Sequence, residues 1–261
     1  MRRGVLALAA LLALAGCSAA PTAPDTPVTP AEVPEAPATP ATESPPAELA
    51  PGVGPWGVSD PARLADAHAA VLADRSFTVR GATTQRYANG TVRSRSGRVV
   101  MMSADRRRFL AVSTRQSRAE HDFRLEQYAN GSHVLRKSTA GAHTRYSVLR
   151  GPDGTPRGPL SLYPDNATNR GGVSRLLGLV DAEVTGSRVE DGRRLYDLSV
   201  EGDGPSWLER LRLTATVDER GLVRSYVVSY TVTREGRQVR VTVEFSVTRV
   251  GSTTVPEPSW V

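Results

Sequence analysis

The chain has 261 residues, with 33 Lys or Arg against 27 Asp or Glu, a net charge of +6 and a single cysteine. One cysteine excludes a disulfide framework and a cysteine zinc site, and about 200 residues beyond a proline-rich start can bury a core without such staples. The basic groups are nearly all arginine, Lys137 being the sole lysine. A basic, arginine-rich chain invites a nucleic-acid reading. The arginines are instead spread over most of the predicted strands, with no helix-turn-helix, RNA-binding sheet signature or zinc module, so nucleic acid is not expected as a partner.

Arg2 and Arg3 precede an apolar run from Gly4 to Leu14 and then Leu14-Ala15-Gly16-Cys17, the plan of a cleavable export signal over residues 1–16. Eleven helical residues rise only about 16 Å against roughly 30 Å of bilayer hydrocarbon, so the run is too short to span. Small Ala15 and Gly16 let the backbone lie flat in a peptidase groove, and the Cys17 sulfur can be alkylated by a lipid donor. Two acyl or isoprenoid chains there give stable anchoring, each buried CH₂ contributing about 0.8 kcal/mol. Arg2-Arg3 is compatible with either twin-arginine or Sec export. The expected location is the extracytoplasmic face of the cell membrane, reached through the lipid on Cys17.

Residues 17–58 are dominated by Pro, Ala and Thr, with no Lys or Arg. Such a segment buries too little surface to offset its ordering entropy, which predicts a disordered stalk. It would reach roughly 35 Å as a flexible coil and up to about 125 Å as polyproline II. Setting aside Arg2, Arg3 and the five stalk acids leaves about +9 on residues 59–261, read as one antiparallel β-rich domain. Attraction to anionic headgroups or envelope polymers follows from that charge.

Ser59-Asp60-Pro61 starts a helix, with a capping side chain and a proline in the first turn, and Leu64, Ala67, His68, Val71 and Leu72 recur at helical spacing to about Asp74. The period then changes to two. Phe77 to Tyr87 is a strand, Asn89-Gly90 a two-residue hairpin turn, and Thr91 to Met102 its return. Arg106 to Arg115 forms another strand. His121 to Ala129, Asn130-Gly131 and Ser132 to Ser138 form a second hairpin, and His143 to Arg150 a further strand. Val173 to Val180 has the spacing of a short helix. Beyond it, strands begin at Val184, Leu195, Leu211, Leu222 and Val239, separated by turns such as Asp191-Gly192, Asp218 to Gly221 and Glu235-Gly236. In the last strand Val239, Val241, Val243, Phe245 and Val247 point one way and Arg240, Thr242, Glu244, Ser246 and Thr248 the other. The expected fold is mainly β with few helices: a curled antiparallel sheet of ten or eleven strands forming an unclosed barrel, with the helices on its concave side.

The Leu14–Cys17 tetrad and Pro/Thr stalk, Pro51-Gly52-Val53, Gly57-Val58, Leu64-Ala65-Asp66-Ala67-His68, Arg75-Ser76-Phe77-Thr78-Val79, Val217 to Val223 and Thr253 to Trp260 resemble an uncharacterised family of haloarchaeal surface lipoproteins. The basic domain departs from the acidic charge usual in such organisms. In topology the order of helix, long sheet, short helices and final strand is similar to the LolA/LolB carriers and the LppX/LprG lipoproteins. That similarity implies an open barrel whose concave face holds acyl chains.

The chemistry-bearing residues are few. His68 reads as a helix-surface histidine, and His121, His133 and His143 are spaced too far apart to share a metal, so no metal or other cofactor is expected. No nucleophile elbow, catalytic serine pairing or carboxylate pair stands out. Asp191, Asp203 and Asp218-Glu219 fall in turns, and Gly171-Gly172 reads as a hinge rather than a phosphate cradle. The chain is therefore not expected to be an enzyme. Asn89, Asn130 and Asn166 head glycosylation sequons, although Asn89 and Asn130 also suit their turns.

The leading expectation is a monomeric surface lipoprotein that binds or carries a hydrophobic, lipid-like molecule, with Phe77, Val79, Met101, Val241, Val243 and Phe245 as candidate lining residues. The same side chains serve as core if the helices fill the concave face. The alternative is an envelope protein docking its basic surface on anionic polymers or partner proteins.

Overall fold

The computed structural model describes residues 48–118, 121–159, 167–202 and 208–261. Cys17, Asn166, Asp203 and most of the stalk lie outside them. Two strands, β1 (Val53–Gly54) and β2 (Gly57–Val58), precede helix α1 (Pro61–Leu72). A meander follows: β3 (Phe77–Tyr87), β4 (Val92–Met102), β5 (Arg108–Ser117), β6 (Phe123–Asn130), β7 (Val134–Ala140) and β8 (His143–Val148). Helix α2 (Arg170–Leu177) leads into a second meander of β9 (Glu183–Glu190), β10 (Arg193–Gly202), β11 (Glu209–Asp218), β12 (Val223–Arg234) and β13 (Arg237–Thr248).

All of these strands form one sheet of 13, ordered β1-β2-β9-β10-β11-β12-β13-β3-β4-β5-β6-β7-β8. Every pairing is antiparallel. The sheet is unclosed, its edges being β1 and β8, and β13 joins the two meanders by pairing with β3 from Val239↔Tyr87 to Thr248↔Thr78. The eleven longer strands are those expected from the alternation of side chains.

The two short strands are a correction. Residues 48–58, assigned by composition to the stalk, are bound to the sheet: Val53 is fully buried, and the Val58 amide donates to the Ala182 carbonyl at 3.0 Å. Glu48 accepts from the Gly52 amide at 2.7 Å and pairs with Arg63 at 2.9 Å. Gly52 has φ +77°, and a Cβ there would stand 2.2 Å from the Asp60 carbonyl oxygen. A glycine conformation, the buried Ala50 and Val53 and a few hydrogen bonds hold this segment, none of which alters its composition.

Helix α1 starts where expected, with Asp60 accepting from the Arg63 amide at 2.9 Å. It buries Leu64, Ala65, His68 and Leu72, each leucine contributing roughly 1.5–3 kcal/mol. Its last carbonyls, Leu72 and Ala73, accept from the Arg106 guanidinium, which also lies over the Phe77 ring at 4.9 Å. A cation at a helix C-terminus satisfies orphan carbonyls and complements the dipole.

The first Asn-Gly hairpin differs near its turn. Tyr87 N–H donates to Thr91 O and Gly90 N–H to Tyr87 O, both at 2.9 Å, so the loop is Ala88–Gly90 and Gly90 alone takes positive φ, 81°. In the second hairpin Asn130 Oδ1 accepts from Ser132 N–H and His133 N–H, which places the asparagine before the turn. Gly131-Ser132 then make the loop, and Tyr128 pairs with Leu135 rather than His133. A shift of two residues leaves every side chain on its expected face.

Candidate functional site

Register separates the sheet into two faces. The inner face carries the rows Tyr226-Phe245-Gly81-Arg98-Ser113-Leu125 and Val247-Val79-Val100-Ala111-Gln127-Arg136. Both helices pack on this face: Leu64, Leu72, Val173 and Leu177 join Phe77, Val100, Met102, Leu198, Leu213, Val228 and Phe245 in one buried core. The outer face is crossed by the C-terminal tail. Gly251 N–H donates to Ser76 O at 2.7 Å, Thr253 and Thr78 hydroxyls meet at 2.9 Å, and Trp260 Nε1 donates to Glu126 at 3.1 Å.

The helices cover only part of the inner face. Beside them lies a cleft of about 350 Å³ with walls from Val79, Val100, Tyr226, Val243 and Phe245, and polar groups from Thr83, Ser96, Arg98, Ser113 and Asn169. Gly81 opens its floor, because it stands between Phe245 and Arg98 in the row and carries no side chain. A Cβ at Gly81 would meet only the Glu244 carbonyl at 3.8 Å, an ordinary contact, so nothing in the backbone requires glycine there.

Of the six lining candidates, Val79, Val243 and Phe245 border the cleft. Phe77 and Val241 share the inner face but do not reach it, Phe77 being fully buried and Val241 nearly so. Met101 is a correction: it pairs with Thr78 and Leu110 on the outer face, whereas Met102 pairs with Phe77 and joins the core.

His68 is also corrected, from helix surface to full burial. Its Nδ1 accepts from Val223 N–H at 3.2 Å, so Nε2 carries the proton and donates to Thr168 O at 2.7 Å. Its ring meets Phe245 edge-on at 6.0 Å. Burial pushes the imidazole below its ordinary pKa, outweighing the Thr168 hydrogen bond and the Asp218 charge. The neutral ring thus ties α1 to β12 and to the segment leading into α2.

That segment brings Asn169 into the cleft. It has φ 61°, and its Nδ2 donates to the Tyr226 hydroxyl at 3.0 Å. A Cβ at Gly172 would lie 2.2 Å from Asn169 Oδ1, so this glycine makes room for the asparagine within α2, in place of the expected hinge. The Tyr226 ring stacks on Phe245 at 4.9 Å, and burial raises its hydroxyl pKa. Having accepted from Asn169, the hydroxyl keeps its own proton free among the described residues to donate toward the cleft.

Arg98 is half-buried, and desolvation lowers its pKa. It makes no hydrogen bond or ion pair among the described residues. Charge placement explains this: the strand carboxylates Glu126, Glu183, Glu190, Asp197, Glu201, Glu209, Asp218 and Glu244 all fall in outer-face rows. On the same inner face, three strands from Arg98, Arg136 buries an Nε without a partner among the described residues.

The remaining candidates lie apart from the cleft. His121, His133 and His143 are exposed. Asn89 and Asn130 are exposed at their turns, Asn89 Oδ1 accepting from Thr91 N–H at 3.0 Å. Asp218 is fully buried in its turn, accepting from Arg220 N–H and Leu222 N–H at 3.0 Å each. Sequence reading missed Arg98, Asn169 and Tyr226. The signal for Arg98 was an arginine in phase with Val100 and Met102, but its isolation from acids depends on strands distant in sequence.

Together these elements define a protein of open antiparallel sheet laid over two helices, with a small, partly polar cleft at the helices' edge. Residues 196–261 match a family of unknown function, DUF7537. No curated protein is matched. Among solved structures, a DUF1329 family protein from Desulfovibrio piger is 10% identical with a TM-score of 0.28, covering 76% of this chain and 93% of that one. A LolA superfamily protein from Nitrosomonas europaea is 8% identical at the same TM-score, covering 76% and 97%. The Pseudomonas aeruginosa MucA/MucB complex matches at 14% identity and TM-score 0.28, covering 77% of this chain and 59% of that one. Superpositions this loose carry no inference about function.

Proposed function

We propose that this chain is a surface lipoprotein, held to the outer face of a membrane by a lipid on Cys17, whose β-domain binds a hydrophobic molecule in the inner-face cleft. The observation that carries the reading is the cleft itself: about 350 Å³ walled by Val79, Val100, Tyr226, Val243 and Phe245 beside the buried core. That volume sits at the small end of ligand pockets, roughly 300–1,000 Å³. It suits a short chain or one end of a longer one. The Leu14–Cys17 tetrad supports the anchor.

The test is to isolate the protein from its membrane without added lipid and identify co-purifying molecules by mass spectrometry, beside a Gly81→Leu variant that fills the floor of the cleft. A lipid-like species retained by the native chain and lost from the variant is expected. Equal retention by both, or by neither, sinks the reading.

A second reading has its own observation. Arg86, Arg93, Arg95 and Arg118 border a separate depression of about 480 Å³ at the ends of β3, β4 and β5. Docking there on an anionic envelope polymer predicts retention on envelope fractions that weakens steeply with salt. Binding indifferent to salt and to Arg95→Gln would count against it.

A further inference from the structure

Arg98 poses a physical problem. A half-buried cation without a counter-charge is unfavourable, and buried polar groups nearly always find partners. Among the described residues the sheet's inner face supplies none, since their strand carboxylates all fall in outer-face rows. The same cleft is lined by further groups able to donate a hydrogen bond: the Ser96 and Ser113 hydroxyls and the free proton of Tyr226, whose oxygen is already engaged by Asn169. Against the same space lie Val79, Val100, Val243 and Phe245. The cleft therefore combines one positive charge and several donors with hydrocarbon walls.

We propose that the cleft takes an anionic amphiphile, a single-chain compound with a carboxylate or phosphate head, and that Arg98 recognises the head while the tail lies along Val79, Val243 and Phe245. This rests on the cleft reading above and adds to it the chemical class of the ligand. A planar guanidinium can pair with a carboxylate or phosphate through two parallel hydrogen bonds, in a site where partial exclusion of water strengthens the pairing. Glu244, the carboxylate that borders the cleft, belongs to an outer-face row, out of phase with Arg98.

The experiment is calorimetric titration of the full chain carrying Cys17→Ser, which removes the lipid and the need for detergent. The probes are dodecanoate, dodecanol and acetate, and the variants Arg98→Gln and Gly81→Leu. Dodecanoate is expected to bind at least tenfold tighter than dodecanol, acetate not to bind, Arg98→Gln to bring the two tailed compounds within about twofold, and Gly81→Leu to lose both. Equal affinity for dodecanoate and dodecanol, with both lost in Gly81→Leu, would overturn the role of Arg98 and leave the cleft reading standing. Failure of both tailed compounds to bind, or indifference to Gly81→Leu, defeats both. Acetate binding as well as dodecanoate overturns the amphiphile. Without ligand, Arg98→Gln should melt at the same temperature or higher; a drop of several degrees would mark Arg98 as structural and overturn the assignment.

Discussion

Asn169 and Tyr226 are joined by a 3.0 Å hydrogen bond that fastens the residue ahead of α2 to the centre of the sheet. Tyr226→Phe keeps the stack on Phe245 and removes only this bond. It should lower unfolding free energy by about 1 kcal/mol, as for an ordinary hydrogen bond. Urea titration of both proteins measures it, and an unchanged midpoint would show the bond to be idle.

His68 makes stability depend on pH. The folded imidazole is held neutral with its pKa below the ordinary value of about 6.5, so in mild acid the unfolded chain binds the proton first. Its contribution is whole above that value and declines as pH falls below it, by up to about 1.4 kcal/mol per pH unit. Asp105, whose carboxyl is held below its usual range by Ser103 and the Arg107 amide, responds only in stronger acid. Urea midpoints between pH 7.5 and 5 should fall for the native chain and fall less for His68→Gln. Parallel curves would exclude His68 as the source.

Asp218 sits at zero exposure between the Arg220 guanidinium, at 2.8 Å, and the amides of Arg220 and Leu222. Replacement by alanine leaves the buried Leu222 amide without its side-chain acceptor and the cation without its nearest partner. A loss of about 3 kcal/mol is expected. Equilibrium denaturation that detects less than 1 kcal/mol would mean that water replaces the carboxylate.

Gly52→Ala should loosen the N-terminal edge of the sheet. The φ of +77° and the 2.2 Å approach to the Asp60 carbonyl force the backbone to move, at a cost of at least about 1 kcal/mol. Limited proteolysis near Val53 should accelerate relative to the native chain. Unchanged cleavage rates would show that this edge yields without strain.

Much of the architecture was legible locally. The Asp60-Pro61 start of α1 and the turns around Asn89-Gly90 and at Asp218 to Gly221 rest on chemistry within a few residues, and the structure turns at each of them, with Ala88 added to the first loop. The cleft was legible only in part, because Val79, Val243 and Phe245 are separated from Arg98, Asn169 and Tyr226 by up to about 147 residues of chain. His68 was misread for the same reason: its two hydrogen-bond partners are 100 and 155 residues away.

The amino-acid sequence alone determined the strands and their alternation, since a period of two depends on neighbours along the chain. It was silent about which of Val99, Val100, Met101 and Met102 face inward, because four consecutive apolar residues carry no alternation. Tertiary structure decided that: the helices cover Val100 and Met102 from inside, while Met101 faces outward in the row of Thr78, which the C-terminal tail binds. It also decided that Arg98 has no counter-charge among the described residues. Whether a charge is paired depends on what distant strands place beside it, a relation between parts of the chain that no local pattern encodes.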